Sequence, residues 1–110
     1  CTIRRILDTT LKTEGIIANV KDVVVYISGI NTFINTSAED EGVWLEDMEG
    51  TIVAQATISG STSTTIDCVF STLPLVLTGN YKLVVASRGG LGSEFGVSIA
   101  RKSVEIRTVD

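Results

Sequence analysis

The sequence predicts an all-β fold, an antiparallel sandwich of about seven strands, and three observations point there. Glycines at 15, 29, 42, 50, 60 and 79 punctuate the chain, most of them at intervals of about 8–13 residues, the spacing of short strands joined by turns. The segments between them are rich in Val, Ile and Thr, whose branched side chains are stiff at χ1 and suit a pleated surface. No long helical pattern separates these segments, so parallel crossovers are not expected. A chain of 110 residues is the size of one domain, spanning 1–110.

Each element follows from its own pattern. Thr2–Lys12 places Ile3, Ile6, Leu7 and Leu11 at spacings that fit a helical stripe as well as a strand, and periodicity alone leaves both open. Asp22–Ser28 puts Val23, Val25 and Ile27 on one face and Val24 and Tyr26 on the other. Val43–Met48 follows, with a turn through Met48-Glu49-Gly50. Thr51–Ile58 alternates as one strand, with Ile52, Ala54, Ala56 and Ile58 on one side. Ser59–Thr65 reads as a turn leading into the strand Thr64–Phe70, where Ile66, Cys68 and Phe70 share a face. Asn80–Ser87 groups Tyr81, Leu83 and Val85, and Ser103–Val109 closes the fold with Val104 and Ile106 inward.

Composition removes several functions. Apolar residues make up 44% and charged residues 20% with a single proline, which is a globular balance and not a disordered one. The longest apolar run, Val23 to Ile27, is far short of the roughly 20 residues of a spanning helix. Histidine is absent, and with it the commonest general base and metal ligand. Residues 31–70 contain no Lys or Arg against seven acids, while Arg4, Arg5, Lys12, Lys21, Lys82, Arg88, Arg101, Lys102 and Arg107 are spread over the two ends. A duplex-binding surface needs a basic stripe, so direct nucleic-acid binding is not expected.

The two cysteines do not form a disulfide framework. Cys68 reads as a small apolar core residue, since a nucleophile would need an activating base. Cys1 opens the sequence, and lipidation there is the one route to a membrane that the residues suggest.

The order of elements resembles a known family. Ile3-Arg4-Arg5-Ile6-Leu7-Asp8 is followed by Val25-Tyr26-Ile27-Ser28-Gly29-Ile30-Asn31, then Asp40-Glu41-Gly42-Val43-Trp44-Leu45, then Leu77-Thr78-Gly79-Asn80-Tyr81-Lys82-Leu83-Val84-Val85. This is similar to the immunoglobulin-like domain at the C-terminal end of an HU-like DNA-binding family from Bacteroides-type bacteria. It also resembles the Ig-like modules shared by plexins and transcription factors. The resemblance covers roughly residues 3–109, and Cys1 and Cys68 do not bracket Trp44 as an antibody-type pair would. It implies an extended N-terminal strand, an Ig-like sandwich, and an HU-like domain preceding residue 1 that would carry any DNA binding. It implies a cytoplasmic, nucleoid-associated protein; the alternative, an extracytoplasmic Ig-like module of a cell-envelope lipoprotein or carbohydrate-handling surface protein, rests on Cys1 as an anchor. It brings no functional residues with it.

Candidate sites are few, and neither an enzyme nor a cofactor is expected. Glu39, Asp40, Glu41, Glu46, Asp47 and Glu49 crowd the stretch 39–49. Converging carboxylates can hold Ca²⁺, with Glu39, Asp40 and Glu41 the nearest candidates, but the spacing is not that of a calcium loop. A solvated loop is the simpler reading. A carboxylate pair for glycoside hydrolysis would need a cleft, which a small sandwich does not offer. Trp44 is expected in the core, or else exposed as an anchor for a protein or sugar. Tyr81 is expected to bond a nearby backbone group as a corner residue, and Gly29 and Gly79 to serve the turns of the sandwich. Gly89–Gly92 lacks a phosphate-loop pattern and reads as a turn, and Arg101, Lys102 and Arg107 as charges that keep a late strand soluble. Contact with a protein partner or with a second copy is the function left standing.

Overall fold

Alternating inward apolar and outward polar side chains specify strands that bury one face, and the chain forms ten of them in its described residues. The structure is a computed structural model that describes residues 1–9, 12–71, 73, 78–92 and 94–108. The strands are β1 (Thr2–Asp8), β2 (Thr13–Glu14), β3 (Ile16–Ala18), β4 (Val23–Ile30), β5 (Gly42–Glu46), β6 (Ile52–Gln55), β7 (Thr57–Ser61), β8 (Thr65–Phe70), β9 (Gly79–Ser87) and β10 (Ser98–Arg107). They lie in two five-stranded sheets, ordered β2-β1-β4-β8-β7 and β3-β10-β9-β5-β6. Between the sheets, Ile6, Val25, Ile27, Ile66, Cys68 and Phe70 meet Val43, Leu45, Leu83, Val85, Val104 and Ile106 in one core.

The sandwich is the expected fold, with more pieces than expected. The ambiguous N-terminus is extended as β1, while Leu11 lies outside the described residues. The final strand begins five residues earlier than expected, at Ser98, and the tail of the expected span at Val109 is also outside them. The pairing is not wholly antiparallel, because β3 runs parallel to β10.

Two crossings between the sheets account for the extra strands. The single strand expected over Thr51–Ile58 divides at Ala56, whose N–H donates to Val43 O at 2.9 Å as the last bond of the second sheet. Thr57 then pairs with Val69 in the first sheet, and β7 takes in Ser59–Ser61, which the sequence suggested as a turn. Gly15 makes the other crossing at φ +76, where glycine meets no Cβ penalty. Its N–H donates to Ile6 O in the first sheet, and its carbonyl accepts from Glu105 N in the second.

Gly29 is required by close approach. A Cβ there would stand 1.9 Å from Thr2 O, where β1 and β4 meet beside a bulge between Ile3 and Arg5. Gly79 sits at φ +103 and opens β9.

Candidate functional site

The acids of the stretch 39–49 go to separate partners and do not converge on one point. Asp40 accepts two bonds from the Arg88 guanidinium, Nη1 to Oδ1 and Nη2 to Oδ2, both 2.6 Å. Such a two-pronged contact fits the planar guanidinium to the carboxylate. Glu41 accepts from Arg88 Nη1 at 3.4 Å, from the Arg88 backbone N–H at 3.1 Å and from Asn35 N at 3.4 Å. Arg88 Nε donates to Phe95 O at 2.7 Å, so one guanidinium ties β9 to two loops. The side chains of Arg88 and Glu41 are 9% and 2% exposed, whereas Asp40 is open to solvent. Hydrogen bonds from Arg88 hold the Asp40 carboxyl below its ordinary range, and Asp40 in turn pushes Arg88 up.

The remaining acids have other tasks. Asp47 Oδ1 accepts from Glu49 N and Thr51 N at 2.9 Å, closing the β5–β6 turn, in which Gly50 has φ +87. Glu39 and Glu49 are exposed. Among the described residues, no group of three or more acids, cysteines or histidines is arranged to hold a metal. Arg88 engages two of the three carboxylates that the calcium reading would use, Asp40 and Glu41.

Trp44 is not in the core. The inward positions of β5 go to Val43 and Leu45, 1% and 0% exposed, which leaves Trp44 on the outer face of the second sheet. Strand alternation allows only one of these sets inside, and the two aliphatic residues fill the core. Trp44 stands opposite Val84, and Val84 opposite Arg101. Val84 is fully shielded, although it belongs to this outer row and not to the core. Trp44 Nε1 donates to Glu46 Oε2 at 3.0 Å, and Arg101 Nε donates to Glu46 Oε1 at 3.1 Å. These two contacts, the indole first, hold the Glu46 carboxyl below the usual range.

The same face exposes apolar surface. A bulge between Leu45 and Glu46 leaves Val53 over and pairs Ile52 with Glu46, so Ile52 points outward and is 52% exposed. Ile99 lies opposite Ala86 on β9 and is 46% exposed. Trp44, Ile52 and Ile99 therefore share one open sheet face with the Glu46–Arg101 pair. Sequence reasoning missed Ile52, Ile99 and Arg101 as parts of this face, and Arg88 as the partner of Asp40 and Glu41. The i, i+2 spacing of Trp44 and Glu46 on a strand was a usable signal for their shared face. The arginines lie 47 to 55 residues from their partners, a separation that no local pattern bridges.

Among the described residues, Tyr81 does not make the expected corner. It is partly buried against the core, and its hydroxyl has no hydrogen-bond partner among the described residues. Leu77 of the same motif is outside them. Cys68 is fully buried, and burial, reinforced by the Asp67 charge, pushes its thiol up to about 12. Arg107 pairs with Glu105 beside it on β10, so two of the three late bases already have acidic partners.

No protein-family model matches the chain, and no curated protein matches it either. Among solved structures, the chain is similar to the crystal structure of a candidate bacterial DNA-binding protein from Bacteroides vulgatus, with a TM-score of 0.76 at 19% identity. That likeness covers 100% of this chain and 48% of the other, so the chain spans about half the length of its structural neighbour and shares a β-sandwich fold with it.

Proposed function

We propose that the chain is a non-enzymatic, Ig-like accessory domain of a bacterial, DNA-associated protein of the HU-like type, and that it works by contact with a second copy of itself. The observation that carries this reading is the outer face of the second sheet. There Trp44 is fixed by Glu46 and flanked by exposed Ile52 and Ile99. An indole held in one orientation loses little entropy on association, and tryptophan is enriched among residues that dominate interfaces. The face carries charges of both signs, Glu46 and Glu105 with Lys82, Arg101 and Arg107, so a two-fold arrangement can set acid against base on the other copy.

The likeness to a candidate DNA-binding protein twice as long supports placing this domain beside a DNA-binding one. The same placement makes the protein cytoplasmic and nucleoid-associated. Arg88, Arg101 and Arg107 have acidic partners within the chain. That leaves too few neighbouring bases for a phosphate stripe, so DNA contact belongs to the companion domain.

Sedimentation velocity over a wide concentration range tests the reading. The wild-type chain is expected to self-associate, with Trp44→Ala and Ile99→Asp each shifting it towards monomer while circular dichroism stays unchanged. A wild-type chain that stays monomeric at millimolar concentration, or dimers indifferent to both substitutions, would overturn it.

A further inference from the structure

The opposite sheet carries a second, unassigned feature. The bulge in β1 between Ile3 and Arg5 inserts Arg4 as an extra residue, so two successive arginines are exposed where strict alternation would turn one of them inward. Both line an open groove of about 420 Å³ with Ser28, Gly29, Thr64 and Thr65. Among the described residues, no acid lines this groove. Neither arginine makes an ion pair or a side-chain hydrogen bond among the described residues, in contrast to Arg88, Arg101 and Arg107. Gly29 is what allows β1 to close on β4 beside the bulge, since a Cβ there would strike Thr2 O. A second hollow of about 220 Å³ adjoins the first, sharing Arg5 and Ser28, and is lined further by Leu7, Tyr26 and Glu14. Leu7 and Tyr26 are direct cross-strand neighbours on this outer face.

We propose that this double groove binds a phosphate monoester of a small flat organic group, with Arg4 and Arg5 on the phosphate and the Leu7–Tyr26 hollow on the ring. Two guanidiniums match the charge of a monoester, about −1.5 to −2 near neutral pH, and hydroxyls at the rim supply further donors. A phosphodiester carries one charge and leaves one guanidinium uncompensated. The phosphate could be that of a free small molecule or the terminal phosphate of a nucleic-acid strand, and the two sources share this chemistry.

Titration of the full chain with phenyl phosphate, followed through backbone amide shifts, tests the site. Shifts are expected to centre on Arg4, Arg5, Tyr26 and Ser28, with inorganic phosphate binding more weakly and phenol not at all. Arg4→Ala and Arg5→Ala should each weaken phenyl phosphate roughly tenfold or more, the effect of losing a charge-assisted bond. Lys21→Ala, which removes the same charge elsewhere, should change it less than twofold. A short single strand bearing a 5′-phosphate is expected to bind only through that end, and the same strand without it not to bind. No saturable shifts with phenyl phosphate, equal weakening by Lys21→Ala, or equal binding of the unphosphorylated strand would each overturn the proposal.

Discussion

Two ends of one acid-rich stretch behave in opposite ways. At Asp40–Glu41 a carboxylate with 2% exposure and an arginine with 9% form a clamp that holds loops against β9. At Glu46, only a few residues on, the partner arginine is 48% exposed and the contact lies on an open sheet face. Both are carboxylate–guanidinium pairs, so the chemistry is shared and the surroundings differ. Where water is excluded and backbone N–H groups also depend on the carboxylate, the pair holds structure together. At Glu46 the carboxylate is only 10% exposed but its arginine is half open to water, so the pair adds less stability and orients Trp44.

The comparison breaks first at Glu41. Glu41→Ala removes the acceptor for Asn35 N, Arg88 N and Arg88 Nη1 together, and should cost about 2–3 kcal/mol in urea unfolding. A loss within about 0.5 kcal/mol would mean that the clamp holds nothing.

Glu46→Gln should cost less than about 1 kcal/mol, because its charged partner is half exposed. Its effect should be plainer in pH dependence. The folded carboxyl lies below its ordinary value of 4.5, so its contribution is complete above that value and is lost as pH falls through the lower folded one. The variant should therefore lose less stability than the wild type on acidification below pH 4.5. Acid unfolding curves that superimpose after normalisation at neutral pH would contradict the assignment of Glu46 as the coupled group.

Tyr81 supplies the uncharged control and the smallest effect. With no partner for its hydroxyl among the described residues, Tyr81→Phe should change stability by no more than about 0.5 kcal/mol. A cost above about 1 kcal/mol would indicate a bonded hydroxyl and restore the corner expected of a sandwich.

The inner faces were the legible part of this fold. Ile66, Cys68 and Phe70, and Val23, Val25 and Ile27, alternate strictly, and a period of two admits one buried face. The crossings were not legible, because the pattern over Thr51–Ile58 continues through Ala56 while the backbone changes sheets. Nothing local marks that change, since it depends on where Val43 and Val69 offer partners. Ile52 points outward for a related reason, a bulge set by the register with β5. At the candidate face, Trp44 could be placed on one of two sides but not assigned to either, because the choice rests on what fills the core from distant strands. The roles of the acids were hidden likewise, as Arg88 and Arg101 reach them only through the completed fold.

Under the proposed function, Arg88, Arg101 and Arg107 are engaged by acids within the fold, Arg4 and Arg5 are left for a single phosphate group, and the chain alone does not hold duplex DNA. Fluorescence anisotropy of labelled duplex DNA, titrated with residues 1–110 alone at ~0.15 M salt and again at lower salt, tests it most directly. Each neutralised phosphate adds about −0.9 to the slope of log affinity against log salt, and Arg4 and Arg5 line one groove without an ion pair among the described residues. The account predicts no measurable affinity at the higher salt and a slope no steeper than about −2 at the lower. Micromolar binding with a slope of about −4 or steeper would contradict it, since several more bases would then have to act together on DNA.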